Sequence, residues 1–272
     1  MIRPFLILAP AFLTLSTFGA WADARMSVLV DVLQLQEAAE ILADEGMTQA
    51  QTLNEDMLAG QGGPAWAVQV EQIYAPARMV ERVRGALEDE LAGDALESVI
   101  EFYASPLGSE IIELENAARR AIQDPDVEEA ARARYQDLKA QEDLRLGLVT
   151  ALIDGGDMID LNVTSAMNSS FQFFRGLVDG KALDMTEQEM LNDVSKDIDA
   201  STQDTTEWLS GYMLLAYHPL TDEELMKYVA FSETEAGEAL NRALFAGFGK
   251  AYEDISYSLG RAVALNMQAQ EL

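Results

Sequence analysis

Apolar residues recur at spacings of three and four along most of the chain, the period of an α-helix with one buried face. Val28, Val32, Leu35, Ala39 and Leu42 form one such stripe, which predicts a single helix from Ser27 that ends at Gly46. A second helix is expected over 48–59, closed by Gly60-Gln61-Gly62-Gly63-Pro64. Trp66, Val70, Ile73, Ala77, Val80 and Leu87 continue the pattern, and Pro76 within it predicts a kink or short break near Tyr74. Leu96, Val99, Ile100 and Tyr103 mark the next helical face, and Leu107, Ile111, Leu114, Ala118 and Ile122 the one after. Asp124-Pro125 opens a charged helix to about Gln141. Further helices are expected over 148–153, ending at Gly155-Gly156, and over 158–178. Trp208, Tyr212 and Leu215 form an apolar face before Pro219. A long last helix over 234–267 carries Leu240, Leu244, Gly247, Phe248, Ala251 and Ile255. Thr186 with Glu189 and Thr221 with Glu224 read as capping boxes. Period-two alternation with β-branched residues is not sustained anywhere, so the expected fold is an all-α, multi-helix bundle.

The helices are organised around the stretch Phe102-Tyr103-Ala104-Ser105-Pro106-Leu107-Gly108. Ser105 suits an N-cap, its hydroxyl accepting from a free N–H of the first turn. Pro106 suits the first helical position, where a missing N–H costs nothing. A related stretch, Phe231-Ser232-Glu233-Thr234-Glu235-Ala236-Gly237, recurs near the C-terminus. With Leu91 set against Leu220, the two regions align without a gap: Leu96 meets Leu225, Phe102 meets Phe231, Ser105 meets Thr234 and Gly108 meets Gly237. Pro76 then falls opposite Thr205 in the polar run from Asp199 to Glu207, which predicts a helix interruption there. Matching Leu29-Val30 to Leu148-Val149 implies an insertion of about ten residues in the second copy. The expected organisation is two related helical halves, residues 23–142 and 143–272, arisen by internal duplication.

At Phe102-Tyr103-x-Ser105-Pro106-x-Gly108, preceded by an acidic and apolar helix, the chain resembles a family of secreted bacterial proteins known only as a domain of unknown function, DUF2059. The resemblance covers about fifty residues, from Tyr74 to Asp124. It implies an all-helical exported protein and no particular activity. The second stretch departs from the motif, with Ser232 in place of the tyrosine and Glu235 in place of the proline.

Composition narrows the functional classes. Forty-seven acids against 18 bases give a net charge of −29. That charge argues against nucleic-acid binding, which relies on Lys and Arg to displace counterions. It argues equally against docking on an anionic membrane surface. Residues 1–22 read as a signal peptide: Arg3 is the basic start, Phe5 to Phe18 the apolar stretch, and Ala20-Trp21-Ala22 the small-x-small cleavage pattern. Cleavage after Ala22 is expected, with cleavage after Ala24 as the alternative, placing the protein in the periplasm or outside the cell. No stable membrane span is expected after cleavage. The chain has no cysteine, which removes disulfides, thiolate nucleophiles and Cys-based metal sites.

No catalytic, cofactor or metal constellation stands out. His218 is the only histidine and cannot build a multi-histidine metal site. Asp154, Asp157 and Asp160 could offer oxygen ligands to calcium but lack EF-hand spacing, and Asp193, Asp197 and Asp199 are similar. The residues singled out are those of the corners, as an interaction site or a structural joint: Phe102, Tyr103, Ser105, Pro106, Gly108, Phe231 and Gly237. The leading expectation is a non-catalytic binding protein of the periplasm with a cell-envelope protein as partner. The alternative is a carrier of an apolar small molecule between the halves, using some of the 12 Met and 10 Phe residues. A third, least favoured, is an enzyme using converging carboxylates.

Overall fold

The computed structural model describes residues 15–141 and 143–270. Residues 1–14, which carry most of the expected signal peptide, lie outside the described residues. Among the described residues the chain forms thirteen helices and no strand. The first seven are α1 (Leu15–Val32), α2 (Leu35–Leu58), α3 (Gly63–Ile73), α4 (Pro76–Glu90), α5 (Gly93–Tyr103), α6 (Pro106–Ala121) and α7 (Pro125–Gln141). The others are α8 (Leu144–Gly155), α9 (Met158–Asp179), α10 (Glu187–Val194), α11 (Ile198–Ala216), α12 (Asp222–Ser232) and α13 (Glu235–Gln270). No described helix is long and apolar enough to cross a membrane.

Local chemistry sets most boundaries as the sequence indicates. Pro76, Pro106 and Pro125 each begin a helix, where proline's fixed φ is favourable. Both capping boxes form: Thr186 and Thr221 accept from the N–H groups of Glu189 and Glu224, whose side chains bond back to the caps.

Three expectations are corrected. The stripe from Val28 to Leu42 is two helices, because Gln34 turns into the left-handed region at φ 48°. The turn rotates the buried face, so Leu29, Leu33, Leu35 and Ala39 are buried whereas Val28 is exposed. Gly46 does not end a helix. It lies within α2, where a Cβ would collide with the ring of Tyr74. The polar run from Asp199 to Glu207 is not interrupted, since α11 passes straight through it. Thr205 keeps the N–H that a proline lacks, and Thr202 and Thr206 bond back to the carbonyls of Ile198 and Thr202 at 2.8 and 2.7 Å.

The packing follows one scheme twice. Helix α1 lies on α2, α4 and α5; α8 lies on α9, α11 and α12. Helix α2 packs on α4 and α6; α9 packs on α11 and α13. Helix α4 crosses to α13, and α11 crosses to α6. Exchanging α1, α2, α4, α5 and α6 for α8, α9, α11, α12 and α13 maps each of these pairings onto another. The left-handed residue Gln34 before α2 has its counterpart in Asp157 before α9, at φ 49°. That pairing places Leu29 opposite Leu152, one helical turn from the Leu148 expected, and implies a shorter insertion than about ten residues.

The cores are shared across the halves. One unites Leu29, Val83, Leu87 and Val99 with Leu240 and Ala243 of α13. A second unites Ile111, Tyr135 and Leu138 with Val149, Leu214, Tyr217 and Leu225. A third joins Leu58, Trp66 and Met79 to Leu177 and Val263.

Candidate functional site

The two corners meet at the centre of the molecule. Ser105 Oγ accepts from the Gly108 N–H at 3.1 Å and donates to the Phe102 carbonyl at 2.6 Å. Thr234 Oγ1 accepts from the Gly237 N–H at 3.1 Å and donates to the Phe231 carbonyl at 2.7 Å. A Cβ on Gly108 or Gly237 would collide with the Phe102 or Phe231 carbonyl oxygen, so glycine lets each new helix turn tightly against the last. The rings of Phe102 and Phe231 stack with centroids 3.8 Å apart and planes 5° apart. Tyr103 stands edge-on to both, at 5.1 and 5.8 Å, and is only 5% exposed. The structure thus gathers all seven corner residues at one joint, with Tyr103, Gly108 and Gly237 buried, Phe102, Ser105 and Phe231 half-buried, and Pro106 exposed at the rim. Tyr103 offers no surface to a partner.

Beside this stack lies a polar cluster that sequence reasoning missed. The Glu115 carboxylate, on α6, accepts from Tyr217 Oη at 2.7 Å and from Tyr228 Oη at 3.2 Å. Tyr212 Oη donates to the Glu115 backbone carbonyl at 3.1 Å. All three tyrosines come from the second half. Burial raises the pKa of Glu115 above the ordinary carboxylate value, and the hydroxyl donors offset this only in part. Burial and the neighbouring carboxylate likewise push Tyr217 and Tyr228 well above the ordinary phenol value. One turn further along α6, Arg119 donates to both oxygens of Glu45 at 2.7 and 2.6 Å. Its guanidinium lies 5.1 Å over the ring of Trp208, which stacks on Tyr212. A signal for Glu115 did exist. It lies four residues after Ile111 and three before Ala118, an inward position, and its counterpart at the constant offset is the apolar Leu244. Among 47 acids, that register was the only mark it carried.

Two openings mark the surface, the smaller of them beside the corner and the tyrosines. A groove of about 420 Å³ runs between α4 and α13, with Met79, Ala251 and Ile255 on its floor and Arg78, Glu81, Arg82 and Asp254 on its walls. A cleft of about 50 Å³ lies within the second half, lined by Met158, Met213, Tyr228, Phe231 and Ser232 among others. His218 is exposed beyond the end of α11, and Asp154, Asp157, Asp160, Asp193, Asp197 and Asp199 are all exposed. Among the described residues, no three His, Asp or Glu side chains gather in a metal-binding arrangement.

Residues 77–137, from the first turn of α4 to near the end of α7, match the family described as uncharacterized protein conserved in bacteria (DUF2059). The matched segment holds the first corner, Glu115 and Arg119. No curated protein and no solved structure matches the chain.

Proposed function

We propose that the chain is an exported, non-catalytic binding protein, built from two copies of one helical unit, that receives a partner's helix in the groove between α4 and α13. The groove carries this reading because its counterpart in the other half is filled. At the offset that relates the corners, Arg78, Met79 and Arg82 of α4 correspond to Glu207, Trp208 and Gly211 of α11. Helix α7 covers α11 there: a Cβ on Gly211 would stand 3.0 Å from the Ala131 backbone, and Arg132 pairs with Asp204 at 3.0 Å. Pro125 starts α7 on a new course after α6. Its counterpart is Asp254, where α13 continues unbroken along α4 and leaves a groove open at the surface between the two helices.

The occupant that fits is an amphipathic helix of a cell-envelope protein with an acid placed to meet Arg78, since Glu81 and Asp254 otherwise balance the groove's two arginines. Met79, Ala251 and Ile255 offer an apolar floor, and Arg78 and Arg82 stand one turn apart on one wall. Arg82 is tied to Asp254 at 2.8 Å, which leaves Arg78 as the more available cation. Export is supported by Arg3, the apolar run to Phe18 and Ala20-Trp21-Ala22, with the mature chain beginning at Asp23. The carrier reading has less support. The stacked phenylalanines fill the space between the corners, and the 420 Å³ groove between the halves is an open furrow edged by Arg78, Glu81, Arg82 and Asp254, not the closed apolar cavity a carrier needs.

A photo-crosslinking side chain at position 78, installed in the protein in its own cell envelope, tests the proposal. A discrete protein adduct at 78, with none at the exposed position 196, is expected. Equal labelling from both positions would refute the groove as the docking site.

A further inference from the structure

We propose that Glu115 and the tyrosines of the second half form a proton-dependent clasp between the two halves. Its geometry is one-sided. The first half supplies one carboxylate on α6, and the second half supplies Tyr212, Tyr217 and Tyr228 around it. Tyr217 and Tyr228 lie 102 and 113 residues away in sequence, so their bonds exist only when α11 and α12 sit on α6.

Four tyrosines face Glu115. Tyr103 comes from the end of α5, Tyr212 from α11, Tyr217 from the turn after α11, and Tyr228 from α12. Arg119, on the same helix, is held by Glu45 of α2, and Tyr252 of α13 lies near that pair. The hydroxyls facing Glu115 supply donors but no positive charge. An ionised carboxylate there, on a half-buried residue, keeps two hydrogen bonds but loses much of its water, whereas a protonated one is neutral and can also donate. The clasp is therefore tightest when Glu115 holds its proton.

The sign follows from linkage. The folded state binds this proton at pH values where the unfolded chain, releasing it near 4.5, does not. Stability from this residue is fully present below 4.5 and is lost as pH rises toward the raised folded value. Glu115→Gln keeps an acceptor and removes the charge, so it abolishes that loss.

Unfolding constants of the full mature protein should be measured in urea from pH 4.5 to 7.5 for the parent, Glu115→Gln and Glu113→Gln. Glu113 is an exposed acid on the same helix and controls for general charge repulsion. The ratio of parent to Glu115→Gln unfolding constants should rise with pH, by up to tenfold per unit where only the folded state holds the proton. The ratio for Glu113→Gln should change less, and that smaller change is the background to subtract. Tyr217→Phe, which removes one of the two bonds tying Glu115 to the second half, should raise the unfolding constant across the series. Parallel pH profiles for the parent and Glu115→Gln, or a Tyr217→Phe unfolding constant equal to the parent's, would overturn the clasp.

Discussion

The corner residues act through atoms that cannot be exchanged cheaply. Gly108→Ala and Gly237→Ala each place a Cβ against a backbone carbonyl, and a backbone does not yield as a flexible side chain would. Each should lower stability by about 1–3 kcal/mol or more, as overpacking does, read as a lower urea midpoint with an unchanged slope. Ser105→Ala removes an acceptor from the first turn of α6 and should cost about 1 kcal/mol. The buried phenols make a different prediction. The unfolded chain releases phenol protons near pH 10.0, and the folded chain releases those of Tyr217 and Tyr228 only well above that. The folded state then holds more protons, so stability falls as pH rises past 10. Tyr228→Phe should shrink that fall in a melting series from pH 9 to 11. At this scale the caps were legible, because Ser105, Thr186 and Thr221 bond to residues three positions on. Glu115 was not, because the groups that distinguish it from other acids are distant in sequence.

Among the elements, local signals read well where a residue type forbids an alternative and poorly where it only disfavours one. Pro76 removes an N–H and ends α3, as expected. The polar run in α11 forbids nothing, so packing of Leu209, Met213 and Leu214 carries the helix through it. Thr205→Pro should impose on α11 the break that Pro76 imposes before α4, at a cost of about 3 kcal/mol. A loss of helical circular dichroism with a lower melting temperature would register it. The division of α1 from α2 shows the opposite failure. The stripe through Leu35 is continuous in sequence, yet Gln34 adopts a left-handed turn that no glycine announces.

For the molecule as a whole, the shared cores govern what can fold alone. Leu240 and Ala243 complete the core around Val83 and Val99, and Ile111 and Leu138 complete the one around Val149 and Leu225. Residues 23–142 or 143–272 produced separately would expose those faces. Each should show weak helical signal and no cooperative unfolding, and mixing them should restore both. The paired helix contacts and the matched corners support the duplication proposed above, with later divergence at Ser232, Asp254 and Leu244.

The sequence by itself determined the helical class, most helix starts, the two corners and their mutual alignment. Those follow from backbone sterics, capping and periodicity, which act over a few residues. Only the tertiary structure decided that Phe102 stacks on Phe231, that Tyr103 is buried, and that Glu115 faces tyrosines. It also decided that α7 packs on α11, and that α13 packs on α4 with a groove between them. Each of these depends on which helices cross, and that choice rests on the joint burial of apolar faces far apart in the chain.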